Sequence, residues 1–177
     1  NRNHKDSLFI DLFCKDKDGK QNFISLYNAL HNTNLDLATT TVQEVNIENV
    51  LYMALSNDIA MLVDNRLVVL VEHQSTINEN MPLRLLEYVS RIYEQLVPSE
   101  DRYEKKMIKI PYPEFFVFYN GTEDYPVETE LRLSDAFIFP DEKYNVKSSD
   151  LTIEIKVKII NINSDKQSPI LKQCKKL

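Results

Sequence analysis

The spacing of apolar positions changes period several times along the chain, and each change predicts an element. In DSLFIDLF, residues 6–13, apolar Leu8, Phe9, Leu12 and Phe13 fall at i, i+1, i+4 and i+5. That spacing marks a helix face, and Asp6 is placed to cap it. KDKDGK (15–20) is a polar break, after which Phe23, Leu26, Tyr27 and Leu30 predict a second helix over 22–32. A linker rich in Thr and Asn follows, to about residue 45. Three strands are predicted next, at 46–55, 58–63 and 66–73, the last two joined by a two-residue turn at Asp64-Asn65 that tolerates positive φ.

The strongest helix is predicted over 80–97, with Leu85, Leu86, Val89, Ile92, Tyr93 and Leu96 as its apolar stripe. Asn80 is placed to cap it, and Pro82 falls in the first turn, where a missing N–H costs little. EFFVFYNG (114–121) reads as a buried strand ending in a turn. In DLTIEIKVKIININ (150–163), Leu151, Ile153, Ile155, Val157 and Ile159 alternate onto one face, which predicts a half-buried or edge-like strand. A terminal helix is predicted to begin near Pro169. The order is α/β: a β-meander crossed by a helix to a further strand.

Composition narrows the picture. The 177 residues suit one domain with its own core, and 43% apolar with 27% charged residues is an ordinary globular balance. The only glycines are Gly19 and Gly121, too few for a glycine-rich phosphate loop. Net charge is −6, so charge alone gives no sign of a nucleic-acid binder, although an enzyme acting on nucleic acid needs only a locally basic groove. Cys14 and Cys174 lack zinc-ligand spacing and fit a reducing, cytoplasmic setting. Asn120-Gly121-Thr122 matches the glycosylation pattern, but a tight turn explains it more simply. No apolar run reaches the roughly 18 residues needed to span a membrane, and no signal-peptide pattern is present. The start at Asn1 and the ending LKQCKKL lead to the expectation of a single domain over 1–177 that is truncated at its C-terminus.

The chemistry collects where NRLVVLVEHQS turns from apolar to polar. Residues two apart on a strand share a face, which sets Glu72 with Gln74 and turns His73 away. Pairing about the 64–65 turn puts residue 58 opposite 71, and a one-residue bulge would bring Asp58 level with Glu72. Two carboxylates and a backbone carbonyl form a hard-oxygen site of the kind Mg²⁺ prefers, with His73 contributing only that carbonyl. Gln74 could orient a water through its amide but supplies no positive charge. The same residues also read as a turn acid and the solvated end of a strand. With only His4, His31 and His73 in the chain, a histidine-cluster site is not expected.

NDIAMLV…NRLVVLVEHQSTINENMPLRLLEYVSRIYEQL (57–96) resembles the core of the Rpn family of recombination-promoting nucleases, of the PD-(D/E)xK nuclease superfamily. IPYPEFFVFYNGTEDYP…LRLSDAF (110–137) and DSLFIDLF resemble the same family, so the likeness covers most of residues 6–163. It implies a restriction-endonuclease-like αβββαβ core, a mixed central sheet flanked by helices. It also implies a Mg²⁺-dependent DNA endonuclease, with Mn²⁺ as a substitute, connected with recombination or transposition of bacterial DNA. By position, Asp58 matches the motif Asp and Glu72 the acid of the (D/E)xK pair. Gln74 stands where the superfamily pattern has Lys, and Asn57 where it has Pro.

Arg84 and Tyr88 share a helix face; Arg84 is a candidate for a substrate phosphate and Tyr88 for bracing a carboxylate, while ion pairing and amphipathic packing are the other reading. Lys105 and Lys106, with Lys109, are candidate DNA-backbone contacts or a solvated loop. Asp11 or Asp6 are candidates for a further acid. The alternative function is a nuclease-like domain that no longer cuts and acts as a DNA-binding or protein-interaction module. DNA is the expected partner, with a homodimer and mobile-element proteins as further expectations.

Overall fold

The structure is a computed structural model that describes residues 11–15, 18–45, 59–74, 76–140, 142–144, 147, 149–163, 166, 168 and 170, and for 15, 70–74 and 142 the backbone alone. The predicted strand 46–55, residues 6–10 of the first helix with Asp6, and the helix expected from Pro169 onward therefore lie outside the described residues, Ile170 excepted.

A π-helical turn, Asp11–Lys15, precedes helix α1, Gly19–His31. The two sit in close contact, because a Cβ added at Gly19 would lie 2.9 Å from the Phe13 carbonyl oxygen. Asn22 Nδ2 donates to the Leu12 carbonyl at 2.9 Å and fastens the turn to the helix. At its other end α1 stops at Asn32, whose φ of 51° is the left-handed conformation that terminates helices. The Asn28 side chain collects the next turn, donating to Leu35 O and accepting from Leu35 N and Thr33 Oγ1.

Among the described residues six strands follow: β1 (Val42–Glu44), β2 (Ile59–Val63), β3 (Arg66–Gln74), β4 (Tyr112–Tyr119), β5 (Glu128–Arg132) and β6 (Lys156–Asn161). They form one mixed sheet in the order β1-β2-β3-β4-β6-β5. β1, β2 and β3 pair antiparallel, β3–β4 and β4–β6 are parallel, and β5–β6 is antiparallel. Helix α2, Met81–Leu96, carries the chain from β3 over to β4. The turn between β2 and β3 is the predicted one, with Asp64 at φ 52°. Its carboxylate accepts the Thr41 N–H at 3.0 Å, tying the turn to β1.

Alternation along the strands sorts the core onto two faces. Met61, Val63, Val68, Phe116, Phe118 and Ile160 pack with Phe23, Ile24, Leu26 and Tyr27 of α1. Leu67, Val69, Phe115, Val117, Val157 and Ile159 pack with Met81, Leu85, Val89 and Ile92 of α2. Both faces are thus covered by helices, which is why β3 and β4 read as unbroken apolar runs. Burying a side chain such as Leu85, 0% exposed, contributes about 2 to 3 kcal/mol.

Several expectations need correction. The linker contains a strand, β1, which its Thr- and Asn-rich surroundings hid. The segment 150–163 is strand only over Lys156–Asn161; Leu151 and Ile153 are 38% and 44% exposed. β6 is also not an edge, because β5 pairs with its outer side, and Ile160 is buried on the opposite face from Val157 and Ile159. β5 escaped notice because ETELR alternates exposed and half-buried side chains with little apolar content. Asn80 occupies the N-cap position of α2 but makes no side-chain cap bond; the Asn78 carboxamide instead accepts the Asn80 N–H at 3.0 Å. Among the described residues no helix is long and apolar enough to cross a membrane.

Candidate functional site

β3 is where the sheet changes character, antiparallel to β2 on one side and parallel to β4 on the other. Its pairing with β2 runs from Val63↔Arg66 to Ile59↔Leu70, the register the turn predicted. Asp58, the next residue along, lies outside the described residues. On the β4 side the register runs evenly to Val71↔Val117 and then resumes at Gln74↔Tyr119. Three steps along β3 therefore match two along β4, leaving one extra residue in Glu72-His73. Such an irregularity re-aims side chains and strengthens the local twist. Strict two-residue alternation, on which the grouping of Glu72 with Gln74 rests, is interrupted at this point. Only the backbone of Glu72, His73 and Gln74 is described.

The carboxyl ends of β3, β4 and β6 line up in one row, Gln74↔Tyr119 and Tyr119↔Asn161. Ligands in open α/β sheets bind beyond such ends. The loop after β4 closes the row from above. The Tyr119 hydroxyl donates to the Glu123 carbonyl and accepts the Glu123 N–H, both at 3.1 Å. Asn161, 0% exposed, donates to Tyr125 O at 2.9 Å. Burial raises the Tyr125 pKa, and the charges of Glu79 and Tyr119 raise it further.

Helix α2 starts at this end. Its far end is anchored by the Tyr93 hydroxyl, which donates to Pro111 O at 2.7 Å just before β4 begins. Arg84, in the first turn of α2, is consequently carried near the carboxyl end of β3, while Tyr88 lies at the middle of the helix. Tyr88 is buried in the α2-side core. Arg84 is half-buried, its Nη1 3.3 Å from Met81 Sδ, and has no carboxylate partner among the described residues. Asp11 opens the π-helical turn that leads into α1.

Lys105 and Lys106 belong elsewhere. They are exposed in the loop after α2 and line an open cleft of about 570 Å³ with Tyr93, Val97, Arg102 and Ile110. That loop returns to the start of β3, where Tyr112 N donates to Asn65 O at 3.0 Å. Arg66 and Glu72 are six positions apart, about 20 Å at about 3.3 Å per residue. The structure thus places Arg84 at the motif end and Lys105 and Lys106 at the opposite end.

A polar cluster that sequence reasoning did not single out also sits at that opposite end. His31 Nε2 is 2.7 Å from Glu114 Oε1, and His31 Nδ1 is 3.0 Å from Tyr27 O. Arg66 Nη1 donates to the Tyr27 hydroxyl at 2.6 Å. Burial raises the Tyr27 pKa against the opposing Arg66 hydrogen bond. The cue in sequence was Glu114, an acid opening an otherwise apolar strand, but its partner lies 83 positions away. Among the described residues no group of three or more His, Cys, Asp or Glu side chains could hold a metal ion.

A six-stranded mixed sheet with helices on both faces and a bulged central strand defines an α/β protein whose candidate site is a strand end. Residues 3–161 match the family model described as "Putative transposase, YhgA-like", and the chain belongs to that family. Neither a curated protein nor a solved structure matches it.

Proposed function

We propose that the chain is a Mg²⁺-dependent DNA endonuclease of PD-(D/E)xK type, working in recombination or transposition. The observation that carries this reading is the register break at Glu72-His73-Gln74. Bulges concentrate beside active sites, and this one falls on the residues that the sequence pattern nominates, at the carboxyl end of the strand where the sheet changes from antiparallel to parallel. Membership of a transposase family supports action on DNA.

In this reading Asp58 and Glu72 hold the cation, helped by the His73 backbone carbonyl. Their chemistry fits: carboxylate and carbonyl oxygens are the donors Mg²⁺ takes, and Mn²⁺ is accepted by the same set. The cation supplies charge neutralisation at the phosphodiester under attack. The Gln74 amide oxygen accepts a hydrogen bond from the attacking water and fixes its direction. The helix and the 119–125 loop wall this end of the sheet.

The test is nicking of supercoiled plasmid with Mg²⁺ or Mn²⁺. The parent chain should cut, and Asp58→Ala and Glu72→Ala should each lose at least a hundredfold in rate. Equal cutting by parent and variants would remove both residues from the site. Gln74 favours a second reading, a non-cutting module that binds DNA or protein, because an amide brings no charge. Calorimetric titration with Mg²⁺ separates the two: such a module gives no heat.

A further inference from the structure

Among the described residues, the motif end of the sheet is short of positive charge. Its described segments, 76–88, 119–127 and 161–163, contain Glu79, Glu87, Glu123 and Asp124 but one Lys or Arg, which is Arg84. Lys166, which follows β6, pairs with Asp124. Cleaving a phosphodiester builds negative charge on the phosphoryl oxygens, and fixed cations or hydrogen-bond donors aimed there account for much of the rate. Gln74, an amide where the superfamily pattern has Lys, brings no charge of its own.

Arg84 has the opposite problem. A half-buried guanidinium is costly to hold without an anion, yet its contact is a thioether, a weak acceptor, and no carboxylate serves it among the described residues. It sits in the first turns of α2, its backbone N–H bonded to Asn80 O at 3.1 Å, on a helix clamped to the sheet by Met81, Leu85 and Tyr88. Five donors in a rigid fork suit phosphate oxygens better than sulfur. Among the described residues, a cation without a carboxylate partner thus stands at the end of the sheet where a phosphodiester would lie with no other uncommitted cation.

We propose that Arg84, from helix α2, supplies the positive charge beside the scissile phosphodiester that Gln74 does not. This rests on the nuclease reading for its chemistry, while the phosphate contact can be measured without it. The Arg84 fork would take a non-bridging oxygen, leaving Gln74 free to direct the water.

Two readouts test it. The first is the salt dependence of affinity for a short DNA duplex, measured by fluorescence anisotropy in EDTA. Losing one phosphate contact should lower the slope of log Kd against log salt by about one. Arg84→Gln should show that drop, Arg84→Lys should keep the parent slope, and Gln74→Lys in the Arg84→Gln background should recover it. The second is single-turnover cleavage with Mg²⁺. Arg84→Gln should cut about a hundredfold to a thousandfold more slowly, as for removal of one transition-state donor, and Gln74→Lys should restore most of that loss. An Arg84→Gln slope equal to the parent's overturns the proposal, and so does cleavage within threefold of parent. Slower cleavage with no recovery by Gln74→Lys and a lowered melting temperature would mark Arg84 as structural, and overturn it as well. A parent that binds DNA through Arg84 but never cuts sinks the nuclease reading and upholds the phosphate contact.

Discussion

Helix α1 is held to the sheet by polar links as well as by its apolar face, and the one between His31 and Glu114 can be weighed. His31 Nε2 lies 2.7 Å from Glu114 Oε1, joining the last turn of α1 to the second strand of the parallel part. Both ring nitrogens face oxygen atoms, an arrangement an imidazolium satisfies with two N–H donors. The ring also stacks on Tyr27 at 4.1 Å and meets the edge of Phe116 at 5.8 Å between centroids. The side chains are 17% and 16% exposed, between a surface pair and a buried one. Exposed pairs contribute about 0.2–1 kcal/mol, and a hydrogen bond to a charged group about 1.5–3 kcal/mol. A coupling of about 1.5 kcal/mol is expected.

Single substitutions cannot isolate that figure. His31→Ala also removes ring contacts, and Glu114→Ala also relieves Oε2, which is buried without a hydrogen-bond partner among the described residues. A double-mutant cycle cancels both effects. Urea unfolding of parent, His31→Ala, Glu114→Ala and the double variant should be run in one common buffer. With a slope of about 2 kcal/mol per molar urea, the coupling corresponds to about 0.75 M in midpoint. A coupling below about 0.4 kcal/mol would show that the His31–Glu114 pair does not help dock α1, and would refute the reasoning.

Two further outcomes follow from the same geometry. Tyr93→Phe removes the bond to Pro111 O and should cost about 1 kcal/mol. Hydrogen exchange should quicken in the last turn of α2, and unchanged exchange there would contradict the anchor. Burial alone raises the Glu154 pKa, but hydrogen bonds from Ser134 Oγ, Ser134 N and Ile155 N, with the Arg132 charge, outweigh it and leave the carboxyl below its usual range. A depressed folded pKa gives stability that is present above the unfolded value, about 4.3, and is lost as pH falls through the folded one. Glu154→Gln should therefore flatten the acid side of the melting-temperature profile below about pH 4.3; a profile that keeps the parent's slope would refute this linkage.

The fold was legible where one physical signal dominated. Met81–Leu96 stood out through its apolar stripe and Pro82, and the β2–β3 hairpin through Asp64-Asn65, whose positive φ at Asp64 is what the turn needs. β1 and β5 were hidden for the same reason: VQE and ETELR are edge strands with little to bury, and hydrogen bonding to a neighbour, not side-chain pattern, makes them strands. The placement of β6 inside the sheet depended on β5 and was lost with it. At the candidate site, the pairing of Asp58's neighbour Ile59 with Leu70 was readable by counting from the turn. The extra residue at Glu72-His73 was not, because a bulge leaves no mark on composition. The separation of Arg84 from Lys105 and Lys106 required knowing that α2 runs back along β3.

That separation bears on how a chain of net charge −6 would engage DNA. Affinity for the backbone scales with the phosphates that cations neutralise, and several cations here are already committed. Arg91, Arg132, Lys158 and Lys166 lie against carboxylates. Arg66 donates to Tyr27, and Arg102 to the Glu94 and Val97 carbonyls that end α2. Arg84 and the exposed Lys105 and Lys106 have no such commitment among the described residues. They stand toward opposite ends of β3, a strand whose Arg66-to-Glu72 stretch spans about 20 Å by strand rise. A duplex running parallel to that strand would meet both across about six base pairs, at about 3.4 Å per pair. A duplex crossing the strand would meet Arg84 alone. Loss of salt slope on replacing Lys105 and Lys106 together, in duplexes of twelve pairs but not of four, would select the parallel path, whereas no loss at either length would select the crossing one.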